Sequence, residues 1–173
     1  MVSNPVSNYK KHSIYIFIIL LLSFSRIVPH PPNFTPIISL AIIGPFLFGS
    51  LTISLMSVIL SMILSDLVIG IHSGMIQIYL IISLISIVFN RYKKSFNKIN
   101  LLFYSLFGST IFFILSNLSV WTFTNIYTKD IQGFINCYYM AIPFFANTVI
   151  STVIFSYLIF FTSIKVNEIN YLK

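Results

Sequence analysis

Charge is scarce in this chain and acid scarcer: 8% of its 173 residues are charged, and Asp66, Asp130 and Glu168 are the only carboxylates. Soluble domains carry roughly a quarter charged residues, so an ordinary water-soluble fold is excluded. A single cysteine, Cys137, rules out an internal disulfide framework and any CxxC metal or redox motif. The sequence has no GxSxG, Walker A, HExxH or Rossmann glycine pattern, which removes the commonest hydrolase, nucleotide-hydrolysing and dinucleotide-binding readings. What is abundant is apolar surface: 57% of residues are hydrophobic, including 18 Phe and 10 Tyr. The polar stretches are too short to fold separately, so one domain with lipid as its solvent is expected.

The apolar runs divide at identifiable breaks. Ile14 to Val28 follows Lys10 and Lys11 and has a small-residue Ser23-Phe24-Ser25 segment, so a signal peptide is one reading. Apolar character resumes after Pro36, and the later runs need this one for an even number of crossings, which favours a first span. Ile37 to Phe48 and Leu51 to Ile71 are parted only by Gly49 and Ser50, a junction small enough to reverse the chain. The first of these is too short to cross alone, so it must borrow residues, tilt, or sit shielded in the bundle; one long bent helix is the alternative. Met75 to Phe89, Leu101 to Phe123 and Cys137 to Phe161 complete six helices. The expected division is a cytoplasmic tail over 1–13, a transmembrane domain over 14–161 and a cytoplasmic tail over 162–173.

The basic residues test this count. The formal charge of +7 sits beside apolar spans, which points to cytoplasmic loops rather than to nucleic acid. With six spans and an inward N-terminus, Lys10, Lys11, Arg91, Lys93, Lys94, Lys98, Lys165 and Lys173 face inward, and only Arg26 and Lys129 face outward. Five spans would put the Arg91 to Lys98 cluster and the N-terminal pair on opposite faces. The expected class is therefore all-α: a compact polytopic bundle of six transmembrane helices, with both termini cytoplasmic. A barrel is disfavoured, because Ile76-Gln77-Ile78-Tyr79-Leu80-Ile81-Ile82 lacks a polar residue at every second position.

Unusual polar residues gather at the outward end of this arrangement. Arg26 closes the first span, and His30 and Asn33 lie in a segment with four prolines between Pro29 and Pro36 that cannot be helical. Such a stiff piece serves either as a cap over a ligand or as a rigid connector. Asp66 is the acid inside an apolar run and needs a partner, whether Arg26, His72 or a ligand. Asn117 and Trp121 share a helical face, and Tyr138 and Asn147 enter the last span from the same end. An amide above an indole suits a planar ligand, although tryptophan is also common at membrane interfaces. The expected substrate contacts are Arg26, Asp66, Asn117, Trp121 and Tyr138, with His30 and Asn33 capping and Asn147 on the floor. The same groups serve equally to lock helices together. No metal or other cofactor is expected, since Asp66, His72 and His30 lack a recognised ligand spacing.

Four segments carry a family resemblance: Arg26-Ile27-Val28-Pro29-His30-Pro31-Pro32-Asn33-Phe34-Thr35-Pro36-Ile37, Leu64-Ser65-Asp66, Asn117 to Trp121, and Cys137 to Thr148. Over roughly Arg26 to Phe160 the chain resembles an uncharacterised family of small bacterial integral membrane proteins. That family is in turn similar to the substrate-binding S components of energy-coupling factor (ECF) vitamin transporters. The resemblance implies six helices, an outward pocket for a small solute, and a separate transmembrane coupling protein with a pair of ATPases. S components often meet the coupling protein through an Ala-x-x-x-Ala pattern in the first helix, and Ile14 to Val28 contains no alanine. The function expected is non-catalytic capture or permeation of a small metabolite; a membrane assembly or scaffold protein is the alternative. An intramembrane enzyme fits less well, because no nucleophile is evident beside Asp66 and His72.

Overall fold

The computed structural model describes the backbone of residues 5–171 and the side chains of 15–163. It is all-α, with α1 Pro5–Ile27, α2 Ile37–Leu47, α3 Leu51–Ile69, α4 Met75–Asn90, α5 Lys98–Phe123 and α6 Ile131–Tyr171. Six helices were expected and six are present, within a few residues at most ends. α1 begins at Pro5 rather than Ile14, and α6 at Ile131 rather than Cys137. The Asp130 side chain accepts the Gly133 N–H at 2.7 Å, capping the helix a full turn and a half earlier. Both α1 and α6 also extend helically into the expected tails. The side chains of Lys10, Lys11, Lys165 and Lys173, on which part of the charge argument rests, lie outside the described residues.

The connections follow from local chemistry. Gly49 adopts φ +65° between α2 and α3, a conformation that costs glycine nothing, and Ser50 accepts the Ile53 N–H at 3.4 Å to cap α3. Asn97 caps α5 by accepting the N–H groups of Ile99 and Asn100 at 3.0 and 2.9 Å.

α2 is the centre of the molecule and packs against α3, α4, α5 and α6. Every residue from Ile37 to Pro45 is buried, and Ala41, Ile42 and Ile43 are fully so. Its short length follows from this position: a helix surrounded by protein need not match the thickness of hydrocarbon. Around it small polar residues share the interior with the apolar core. α3 turns Ser54, Ser57, Ser61 and Ser65 inward at helical spacing, while Leu67 and Val68 are 71% and 67% exposed. Small residues inside let backbones approach, and large apolar ones outside suit lipid. Gly108 illustrates the closeness, since a Cβ there would stand 2.5 Å from Ile42 Cδ1 and 3.3 Å from Phe89 Cε2. Among the described residues, Leu51–Ile69, Lys98–Phe123 and Ile131–Ser163 are long and apolar enough to cross a membrane. The other three helices present shorter apolar stretches.

The two ends of the bundle differ. At one end, Phe46 stacks on Phe96 at 5.4 Å, Tyr157 donates to the Lys98 carbonyl at 2.7 Å, and the basic 91–98 loop closes the structure. At the other end lie Arg26, the proline loop, and the α3–α4 and α5–α6 connections, together with two of the cavities.

Candidate functional site

Asp66 is held from two sides. Arg26 Nη2 of α1 approaches its Oδ1 at 2.8 Å, and Tyr79 of α4 donates its hydroxyl to Oδ2 at 2.6 Å. The Arg26 contact is an ion pair without an aligned N–H, so Oδ1 has charge compensation and no hydrogen bond. Arg26 Nη1 in addition donates to the Met62 carbonyl at 3.2 Å and to Ser65 Oγ at 2.5 Å. Three helices are therefore tied at one carboxylate that is 2% exposed. An ionised acid in such surroundings needs an opposite charge beside it, and Arg26 supplies one.

The proline loop is fixed to α6. Asn147 Nδ2 donates to the Pro32 carbonyl at 3.2 Å, Ser151 Oγ donates to the Asn33 carbonyl at 3.3 Å, and Phe34 packs edge-on against Phe155 at 5.8 Å. Asn33 has φ +63°, the left-handed conformation that asparagine tolerates better than other side-chain-bearing residues. This geometry turns the loop over the bundle end.

Two adjoining cavities lie beneath it. The larger, about 390 Å³, is bounded by the start of α4, the second half of α5 and α6, with Asn33, Gln77 and Asn117 contributing amides and Phe112, Phe113 and Phe145 contributing rings. None of its lining side chains is ionisable. The smaller, about 220 Å³, carries Arg26, His30 and Thr35 on apolar walls. Asn33, Ile78 and Phe112 line both, so the loop asparagine stands at their junction.

The residues expected at a site thus separate. Arg26, His30 and Asn33 line the smaller cavity, and Asn33 and Asn117 line the larger. Asp66, Trp121, Tyr138 and Asn147 line neither. Trp121 Nε1 donates to the Thr128 carbonyl at 3.0 Å, and its ring meets Phe134 edge-on. Tyr138 donates to the Ile114 carbonyl at 2.8 Å, joining α6 to α5. His30 Nδ1 contacts the neighbouring Pro31 carbonyl at 2.8 Å. Gln77 and Tyr79 escaped sequence reasoning, because each stands among aliphatic residues in a run that reads as lipid-facing.

The α5–α6 connection is built from charge. Lys129 donates to the Trp121, Thr122 and Thr124 carbonyls, completing the C-terminus of α5, where a cation also opposes the helix dipole. Asp130, hydrogen-bonded by the Gly133 N–H and then by Thr128 Oγ1 at 2.8 Å, has its carboxyl held below the ordinary aspartate range. Among the described residues no group of three His, Cys, Asp or Glu side chains converges to hold a metal ion.

Residues 7–171 match the family of unknown function DUF6580, and the chain belongs to that family. No curated protein and no solved structure matches it.

Proposed function

We propose that this family member is a non-catalytic membrane subunit that captures a small metabolite at the outer face of a bacterial inner membrane. In this reading all six helices cross or lie within the bilayer, and both termini and the 91–98 loop are cytoplasmic. The observation that carries it is the pair of adjoining cavities roofed by the proline loop, at the bundle end opposite the basic loop. A stiff roof fixed to α6, a polar and aromatic lining, and a mouth away from the positive end are what outward capture requires. In this reading the protein serves as an S component of an ECF-type transporter, and a coupling protein with an ATPase pair energises release. The absence of an Ala-x-x-x-Ala pattern from Ile14 to Val28 means that any such partner docks on other residues.

The test is metabolite retention. Detergent-purified protein is equilibrated with a cell extract, washed and analysed by native mass spectrometry beside an Asn117→Leu, Gln77→Leu double variant. Retention by the natural chain and loss by the variant support the proposal; equal retention, or none by either, contradicts it.

A scaffold role is the second reading, favoured by one observation: Arg26, Asp66 and Tyr79 satisfy one another inside the bundle. It predicts that cavity variants are silent while Asp66 variants lower abundance.

A further inference from the structure

We propose that the ligand of the larger cavity is an uncharged, planar molecule bearing a carboxamide or lactam edge, bound by Asn33, Gln77 and Asn117. This rests on the capture reading above and adds the substrate class to it.

Part of the lining's hydrogen-bonding capacity is unused. The side chains of Asn33 and Gln77 make no hydrogen bond to any described residue, and neither do the hydroxyls of Ser73 and Ser119, which also line the cavity. Asn117 spends only Nδ2, donating to the Phe113 carbonyl of its own helix at 2.8 Å, which leaves Oδ1 open. By contrast, Thr124 and Thr148 donate to carbonyls one turn earlier at 2.8 Å each and so are already engaged. The free hydrogen-bonding capacity of the cavity is therefore concentrated in three carboxamides and two hydroxyls.

A carboxamide presents a donor and an acceptor side by side, and its complement is a group offering the same pair in reverse. Lactams, primary amides and the edges of many nitrogen heterocycles do so. The remaining wall is aromatic: Phe113 and Phe145 lie 4.6 Å apart with their planes 37° from parallel, and Phe112 stands at the junction with the smaller cavity. Phenylalanine faces favour a flat ring over a flexible chain. The volume, about 390 Å³, falls in the range of sites for small ligands.

Charge decides the class. An ionised carboxylate, phosphate or ammonium entering this cavity gives up its hydration and meets no opposite charge on the lining. Arg26 belongs to the smaller cavity and is already neutralised by Asp66, and the Lys129 ammonium, which contacts the carbonyl of the lining residue Thr124, is engaged by three carbonyls at the end of α5. A neutral polar ring exchanges its water hydrogen bonds for amide ones and suffers no such penalty.

The experiment uses matched pairs on the detergent-purified full chain: benzamide with benzoate, quinoline carboxamide with quinoline carboxylate, and uracil with orotate. Binding is read by calorimetry and by the shift in thermal unfolding, and any metabolite retained from cell extract is identified by mass. The neutral members are expected to bind at least about tenfold tighter than their carboxylates, a difference of about 1.4 kcal/mol. Asn117→Leu and Gln77→Leu are each expected to remove that preference without lowering the unfolding temperature of the empty protein. Equal or tighter binding of the carboxylates, or a charged metabolite retained from extract, overturns the inference while leaving a binding cavity. Failure of every probe to bind, together with an empty mass spectrum from extract, overturns the capture reading as well.

Discussion

Arg26 Nη2 and Asp66 Oδ1 stand 2.8 Å apart, joining the end of α1 to the end of α3 with side chains that are 17% and 3% exposed. With Tyr79 on the other carboxylate oxygen, the pair fixes the relative placement of three helices at the rim of the smaller cavity. The pair is neutral as a whole. Removing one member leaves the other charge buried in an apolar surround.

Replacing Asp66 alone is therefore the damaging change. Asp66→Asn preserves shape and an acceptor for Tyr79 but strands the Arg26 guanidinium, and a loss of about 3 kcal/mol is expected. The double variant Arg26→Met, Asp66→Leu removes both charges and is expected to regain most of that loss. Thermal unfolding in detergent measures both; a double variant no more stable than Asp66→Asn contradicts the pairing argument.

Asn147 acts at a distance from the ligand by holding the roof. Asn147→Leu removes its bond to the Pro32 carbonyl, and about 1 kcal/mol of loop anchoring goes with it. Amide exchange over 33–35 is expected to accelerate while exchange in α2 does not change. Asn33→Gly tests the adjoining position, because glycine accepts the φ of +63° while the side-chain amide is lost. Stability is expected to hold and ligand retention to fall.

The α6 cap titrates. Asp130 is stabilised as a carboxylate by the Gly133 N–H and Thr128 Oγ1, so its folded pKa lies below its unfolded one. Its contribution is complete above the unfolded value of about 3.9 and is lost as pH falls through the folded value. The protection of the Gly133 amide is expected to be flat at neutral pH and to drop only below about pH 4. In Asp130→Asn, which keeps an acceptor and has no proton to gain, the drop should vanish. A natural chain whose Gly133 protection is unchanged down to about pH 2 contradicts the assignment.

How much of this the sequence revealed depended on whether a residue's neighbours are local. Gly49 with Ser50 marked the α2–α3 reversal, and the prolines from Pro29 to Pro36 marked the non-helical loop, because both act through their own backbone. The burial of α2 is not legible in its sequence, since an apolar run looks alike whether lipid or protein surrounds it. The sequence offers Arg26, His72 or a ligand as partners of Asp66, and the structure places Arg26 there. Tyr79 was invisible as their third member, because a phenol among aliphatic residues carries no sign of a partner on another helix. Trp121 and Tyr138 drew attention as ligand contacts, yet their donors go to the Thr128 and Ile114 carbonyls. Only the path of the chain in space tells a free donor from a spent one. Gln77 shows the converse: one amide in an apolar helix whose freedom appears only when the cavity is seen.

In the capture reading the two cavities beneath the proline loop open on the face opposite the basic loop, toward the outside of the cell. In a Cys137→Ser chain, single cysteines at Ile126 and at Lys94 report those two faces to a membrane-impermeant maleimide applied to intact cells. The account predicts labelling of Ile126→Cys from outside and of Lys94→Cys only after the membrane is opened. Labelling of both from the same side, or of Lys94→Cys alone in intact cells, would contradict it.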